Sequence, residues 1–373
     1  MAAPDRHAES IAEALDHMHP ELRPLREAGE PVYLVGGAVR DLLLGRGRAD
    51  IDLVVEGDAA TFAARFGAEV IAHDRFGTAK VKFAGHELDV ASARSETYSH
   101  PGALPEVQTG ARLKDDLGRR DFTINAMAIP LHGDPKLIDP YGGEADLATK
   151  RLRVLHARSF VDDPTRAIRA ARYAARFGFE LEPETADLLR RADLGTVSAE
   201  RQQAELLRLA GESQAVRGFE LLAEWGLVEL REGGIELASG VAALLEAEPW
   251  SDVAERDRAL LRAAQGPSGE EVSLAAATPA QPSEVVGLAA SRQPLELLLA
   301  RALGAEWLDR YLAEWRDVAL EIDGDDLMRA GIPEGPAVGR GLKEALIRKL
   351  DGEISGREQE LEVALAAARS AGV

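Results

Sequence analysis

The 373-residue chain contains no cysteine. This excludes disulfides, thiolate zinc sites and cysteine nucleophiles, and it fits a reducing compartment, so a cytoplasmic location is expected. No apolar run approaches about 20 residues, so neither a transmembrane helix nor a membrane partner is expected. The first ten residues are polar and lack the apolar centre of a secretory signal. Aromatic residues make up only 5% while alanine and leucine abound, which favours helix over an all-β fold. All histidines precede residue 157, so a histidine–aspartate metal site is excluded from the C-terminal half. Positive charge is also scarce: 44 Lys and Arg against 64 Asp and Glu leave a formal net charge of -20. Non-specific phosphate binding needs a basic surface, so any polyanion must meet a local basic patch. Neither a P-loop nor a dinucleotide fingerprint is present.

What is there suits a folded protein of two or three domains, with 46% hydrophobic and 29% charged residues. Residues 11–30 have the periodicity of one leading amphipathic helix. From Pro31 to about Leu155 the pattern changes to short strands and turns. Pro31–Val35 and Asp50–Val55 are strand candidates, and Lys80–Phe83 and Glu87–Ala91 flank a turn as a hairpin. Helical segments at Ala38–Leu44 and Asp58–Phe66 interleave with them, which indicates a mixed sheet with helices. After Asp163 the periodicity is helical over Asp163–Phe177, Pro183–Ala192, Ala199–Glu212 and Ser213–Trp225. Residues 265–283 are rich in Pro, Gly, Ala and Ser and read as a loop or linker. Helices resume near Glu284 and close the chain over Leu342–Leu350 and Arg357–Ala368.

Asp50 and Asp52 alternate with apolar residues in Asp-Ile-Asp-Leu-Val-Val, so on a strand both carboxylates share a face. Like charges that close repel unless a cation lies between them. Magnesium fills that role, and a pair of metals is the usual engine of nucleotidyl transfer. A short Asp-x-Asp is also what a solvated strand face carries. Asp89, on a later strand, is a candidate third carboxylate for the same edge. Upstream, Gly36 and Gly37 follow an apolar strand and open a helix, a place where backbone N–H groups approach an anion. Arg40 lies one turn further, within reach of a phosphate.

Between Arg151 and Phe177 stand seven arginines and two aspartates, a local excess of five positive charges in an acidic chain. On a helix, Arg166, Arg169, Arg172 and Arg176 fall within an arc of about 120°. Cytosine and adenine both offer an amino donor beside a ring-nitrogen acceptor, whereas uracil and guanine reverse the pattern. A carboxylate that accepts and a guanidinium that donates match the first pair. Asp163 and Arg166, one helical turn apart, can present such an edge; a cap on the helix is the plainer role for Asp163.

Together these strings resemble the class II tRNA nucleotidyltransferase and bacterial poly(A) polymerase family of the polymerase-β superfamily. The resemblance rests on Leu34-Val35-Gly36-Gly37-Ala38-Val39-Arg40-Asp41, then Asp50-Ile51-Asp52, then Arg119-Arg120-Asp121-Phe122-Thr123-Ile124-Asn125-Ala126. It continues through Ile138-Asp139-Pro140-Tyr141-Gly142-Gly143, Asp162-Asp163-Pro164-Thr165-Arg166, Glu200-Arg201, and Gly331-Ile332-Pro333. It implies an α+β fold: a polymerase-β-like nucleotidyltransferase head with a mixed sheet and helices, then an all-helical neck, body and tail in a seahorse-like shape. The corresponding ranges are an N-terminal helix over 1–30, the catalytic head over 31–155, a base-recognising neck over 156–230, a body over 231–320 and a tRNA-binding tail over 321–373. By the same resemblance, Asp50 and Asp52 bind magnesium in a two-metal site; Asp89, read from its strand position alone, is the candidate third catalytic carboxylate, with a solvated acid as the plainer reading. Gly36, Gly37 and Arg40 hold the triphosphate and Arg120 contacts the nucleotide. Asp163 and Arg166 read the base, with Arg169 and Arg172 in support. The family usually carries Glu-Asp-x-x-Arg where this chain has Asp162 first; the base-reading pair itself is intact. Glu200 and Arg201 are expected to form a structural ion pair, and Asn125 to cap or pack.

The implied activity is template-independent addition of CCA to tRNA 3′ ends from CTP and ATP, with tRNA as partner and no protein partner. An enzyme adding only CC or only the final A is a close rival. A poly(A) polymerase is another, although those tend to carry basic extensions. A non-catalytic RNA-binding protein is the rival of a different class, opposed by the retained Asp-x-Asp, Gly-Gly and Arg-Arg-Asp.

Overall fold

The computed structural model describes residues 11–28, 31–46, 51–65, 70–73, 77–83 and 86–370. They fall into two compact units, Met1–Val228 and Glu229–Val373. No helix among the described residues is long and apolar enough to cross a membrane.

The first unit opens with α1 (Ile11–Met18) and α2 (Arg23–Ala28), separated by a single turn over Pro20–Leu22. This corrects the single helix expected over 11–30. His19 precedes a proline and is pushed out of the helical region, to φ -133 and ψ 59, and Pro20 has no N–H to continue the ladder. Strand β1 (Val32–Val35) then leads into α3 (Gly37–Leu43), followed by β2 (Asp52–Val55), α4 (Ala59–Arg65), β3 (Val70–His73), β4 (Thr78–Phe83) and β5 (His86–Ser92). A hairpin of β6 (Arg94–Thr97) and β7 (Glu106–Thr109) and helix α5 (Leu113–Gly118) precede β8 (Ala128–Pro130).

The main sheet runs β3-β4-β5-β2-β1-β8. Only β2 and β5 are parallel; the other neighbours are antiparallel, so the sheet is mixed. Leu53, Val55, Leu88 and Val90 point to one face and pack with Val39, Leu42 and Phe62 of α3 and α4. Each such side chain contributes roughly 1.5–3 kcal/mol by leaving water. The alternation that buries these residues turns Asp52 and Asp89 to the opposite face.

The remainder of the first unit is mostly helical: α6 (Gly143–Ala148), a short strand pair β9 (Arg151–Leu152) and β10 (Glu180–Leu181), α7 (Ser159–Asp162), α8 (Thr165–Phe177), α9 (Pro183–Leu189), α10 (Ala199–Ala210) and α11 (Ala215–Glu224). Helix α8 begins two residues later than the periodicity predicts. Asp163, before a proline, stays extended at φ -137 and ψ 91.

The second unit is helical throughout its described residues, from α12 (Gly234–Leu244) and α13 (Arg256–Ala264) onward. Helix α14 (Gly269–Ala275) occupies the stretch expected to be a linker. Ser268 and Glu271 form a capping box there, a signal legible in the sequence and outweighed by the composition around it. The chain ends in α15 (Pro282–Ala289), α16 (Pro294–Ala302), α17 (Trp307–Arg310), α18 (Gly324–Arg329), α19 (Pro336–Leu350) and α20 (Gly356–Arg369). Gly341 lets the last two close up, since a Cβ there would stand 2.5 Å from the Ala364 carbonyl oxygen.

Candidate active site

A cavity of about 730 Å³ opens in the first unit between the free face of β2, β4 and β5 and the arginine face of α8. Its lining includes Gly37, Arg40, Asp52, Asp89, Arg120, Asp163, Arg166, Arg169 and Arg172, all singled out from the sequence. It adds Lys80, Arg94, Glu96, Tyr98 and Tyr173, which were not assigned roles there, together with Asn125, expected only to cap or pack, and Arg176 of the basic arc. Asp50 lies outside the described residues. Nine basic and five acidic side chains line the space, so a chain of net charge -20 presents a locally basic pocket.

On the sheet wall, parallel register sets Asp52 directly beside Asp89, and antiparallel register sets Lys80 beside Asp89 on its other side. The Lys80 ammonium lies 3.7 Å from the Asp89 carboxylate. Among the described residues, no group of three or more His, Asp or Glu is close enough to hold a metal ion. The two carboxylates in register are hard oxygen donors of the kind magnesium takes.

The glycine turn works through room. Gly36 has φ +68, and a Cβ there would lie 2.5 Å from Nη1 of Arg120. Glycine thus lets Arg120 close over the start of α3. Arg40 is buried, at 4% exposure. Its Nε donates to Asp41 (2.8 Å), its Nη1 donates to Asn125 Oδ1 (2.6 Å), and its guanidinium lies over the ring of Phe177, 4.6 Å from the centroid.

Asn125 does more than cap or pack. Its Nδ2 donates to Asp121 Oδ1 (2.9 Å), and Asp121 Oδ2 accepts from Nε (2.9 Å) and Nη2 (2.5 Å) of Arg169. A continuous chain of polar contacts therefore joins α3 to α8. Burial pushes the Asp121 carboxyl up, but Arg169, the Asn125 hydrogen bond and Arg166 outweigh it and bring it down to about 2. Asp121, in turn, raises Arg169 above the ordinary guanidinium range. Fully buried Asp116 holds both arginines of Arg119-Arg120, at 2.8 and 3.1 Å. Burial pushes its carboxyl up too, and the two guanidinium groups more than reverse this.

The α8 arginines arrive with partners. Arg166 donates through Nη1 to Ser159 Oγ (2.7 Å) and through Nη2 to the Arg119 carbonyl oxygen (2.8 Å). Arg172 and Arg176 share Glu212 at 3.3 and 3.4 Å. Asp163 Oδ1 accepts from the backbone N–H (3.2 Å) and hydroxyl (2.6 Å) of Thr165, which is a capping geometry. It also accepts from Nη2 of Arg201 (3.0 Å). This corrects the expected Glu200–Arg201 pair: Arg201 points inward to Asp163 and to the Gly102 carbonyl oxygen, 2.8 Å away. Neighbouring residues on a helix diverge by about 100°, so Glu200 and Arg201 face different ways.

Tyr98 closes one end. Its hydroxyl donates to Glu96 (3.1 Å), and burial pushes the phenol up to about 12, with Arg166 opposing and Glu96 adding to the rise. Neither the composition of the β6–β7 hairpin nor its periodicity marks Glu96 and Tyr98.

Residues 32–153 match the poly A polymerase head domain, and residues 178–230 match a family described as the probable RNA and SrmB-binding site of polymerase A. An A-adding tRNA nucleotidyltransferase of Geobacter sulfurreducens is 34% identical over 94% of this chain and 47% of its own length. A CC-adding tRNA nucleotidyltransferase of Deinococcus radiodurans is 33% identical over 88% of this chain and 87% of its own. The chain spans about half or less of the A-adding relatives it matches (47%, 56% and 20%). Among solved structures, the Thermotoga maritima CCA-adding enzyme complexed with tRNA superposes with a TM-score of 0.75 at 30% identity, covering 96% of this chain and 98% of that one.

Proposed function

Since the chain belongs to the family of tRNA nucleotidyltransferases and bacterial poly(A) polymerases, we propose that it extends tRNA 3′ ends without a template, adding CCA from CTP and ATP. The observation that carries this is one cavity whose opposite walls are a carboxylate row, Asp52 and Asp89, and the arginine face of α8. Within it, residues 31–155 act as the catalytic head and 156–230 as the base-reading neck. Residues 231–320 and 321–373 serve as body and tRNA-binding tail, and the enzyme works in the cytoplasm.

Asp52 and Asp89, with Asp50, would hold magnesium, whose chemistry there is to activate the attacking 3′-hydroxyl and neutralise charge at the transferred phosphate. The chain's own residues do the rest. Gly36 and Gly37 keep the start of α3 open to an anion, and Arg40 and Arg120 supply its positive wall. Because both are already fixed by Asn125 and Asp116, no reorganisation is required when the triphosphate enters. A guanidinium carries five N–H donors, and two of Arg166's are engaged by Ser159 and Arg119. The remaining donors suit a ring-nitrogen acceptor, while Asp163 accepts from the neighbouring amino group. Arg169 and Arg172 hold this edge in place.

A second reading, addition of the terminal A alone, is favoured by the A-adding relatives at 34%, 40% and 49% identity. One experiment separates them. Labelled CTP and ATP are offered to tRNA lacking CCA and to tRNA ending in CC. CCA addition uses both nucleotides on the first substrate. An A-adding enzyme labels only the second, a CC-adding enzyme takes only CTP, and a poly(A) polymerase makes long tails. Absence of any incorporation would overturn the enzymatic reading.

A further inference from the structure

Every hydrogen bond described for the Asp163 side chain falls on one oxygen, Oδ1, which accepts from the Thr165 N–H, the Thr165 hydroxyl and Arg201. Asp163 lines the cavity, and Oδ2 is the oxygen that these contacts leave able to accept from a ligand. Two of the three contacts come from the adjacent helix start and fix only the local turn. Arg201 is the contact from outside, 38 residues away on α10. Its other terminal nitrogen holds the Gly102 carbonyl oxygen at 2.8 Å. Gly102 is itself a fixed point. Its N–H donates to the Val161 carbonyl oxygen on α7, and its φ of +71 and a Cβ clash at 2.5 Å with Thr196 leave no room for another residue. One guanidinium fork thus spans α10, the loop after β6 and the junction of α7 with α8. A planar fork with two anchors sets direction as well as charge.

We infer that Arg201 is the positioning residue that aims Asp163, so that base selectivity depends on a side chain that does not itself touch the base. The inference rests on the base-reading role proposed for Asp163. Arg201, held by Gly102, keeps Oδ1 occupied and rotates Oδ2 toward the amino group of cytosine or adenine. Without the fork, the carboxylate keeps its Thr165 cap yet swings about it. A carbonyl-bearing base then meets a less sharply placed acceptor and is rejected less well.

The test compares the ratio of kcat/KM for CTP (or ATP) to that for UTP in folded wild type, Arg201→Gln, Arg201→Lys and Asp163→Ala. In Arg201→Gln the ratio is expected to fall at least tenfold, with KM for the correct nucleotide rising more than kcat falls. Lysine keeps the charge and lacks the fork, so Arg201→Lys should fall between wild type and Arg201→Gln. A residue that merely held the fold would lower the melting temperature and leave the ratio alone, and that result overturns the inference. Should Arg201→Gln not fold, an unchanged ratio in Arg201→Lys overturns it equally. Asp163→Ala keeps the two claims apart. A ratio unmoved there removes the base-reading role itself, whereas a ratio moved there and unmoved in both Arg201 variants removes only the role of Arg201.

Discussion

On the sheet wall of the cavity, Asp52 and Asp89 stand in register with exposed side chains, and Lys80 lies 3.7 Å from Asp89. On the helix wall, Arg166 and Arg169 are already anchored, by Ser159, the Arg119 carbonyl oxygen and Asp121. Like charges placed directly opposite on neighbouring strands disfavour the fold, so the first wall is tolerable because water reaches it. Arginines at a buried face cannot rely on water, so the second wall carries its own counter-charges. In the proposed function, the carboxylate wall receives a cation and the arginine wall, already held in shape, receives an anion and a base. Function and stability should therefore come apart on the first wall and travel together on the second.

The largest test of that contrast is Asp52→Asn. Incorporation should drop by three or more decades, about 4 kcal/mol of transition-state stabilisation. The fold should stay intact, since the side chain is exposed. Single-turnover kinetics with a thermal melt on the same preparation check both halves, and near-normal turnover would sink the metal-binding role. On the other wall, Asp121→Ala strands Arg169 and cuts the link from Asn125. With Glu205 still 3.9 Å from Arg169, it should cost roughly 2 kcal/mol of stability by denaturant titration as well as activity. A stable but inactive variant would break the contrast.

Acid sharpens it further. Asp121 titrates at about 2 in the folded chain, against an ordinary carboxylate value near 4, so it adds stability that is complete above pH ~4. That contribution, roughly 2 kcal/mol, is lost as pH falls from ~4 through ~2. In Asp121→Asn the acid limb of the stability profile should flatten over the same window. The smallest expected effect is on tRNA binding. Its affinity should weaken with salt at about 0.9 log units per phosphate contact. The slope should be shallow, because so many arginines of this acidic chain are already paired with carboxylates; a salt-independent affinity would contradict it.

The sequence by itself determined what short-range periodicity governs. Alternation in Asp-Leu-Val-Val set Asp52 opposite the buried Leu53 and Val55, and helical spacing gathered four arginines on one arc of α8. The same local rules separated a mixed α/β part from a helical one. They misjudged the ends where proline intervened, at His19-Pro20 and Asp163-Pro164, because a proline ring drives the preceding residue out of the helical region whatever the period around it. Only the tertiary structure decided which distant groups meet. Asp89 lies beside Asp52 through parallel pairing across a crossover, Asp121 meets Arg169 over 48 residues, and Arg40 meets Asn125 over 85. Arg201 turned from its sequence neighbour to Asp163 for the same reason. A charged side chain near a closing core takes the partner that burial brings to it, and no repeat of 2.0 or 3.6 residues specifies which that is.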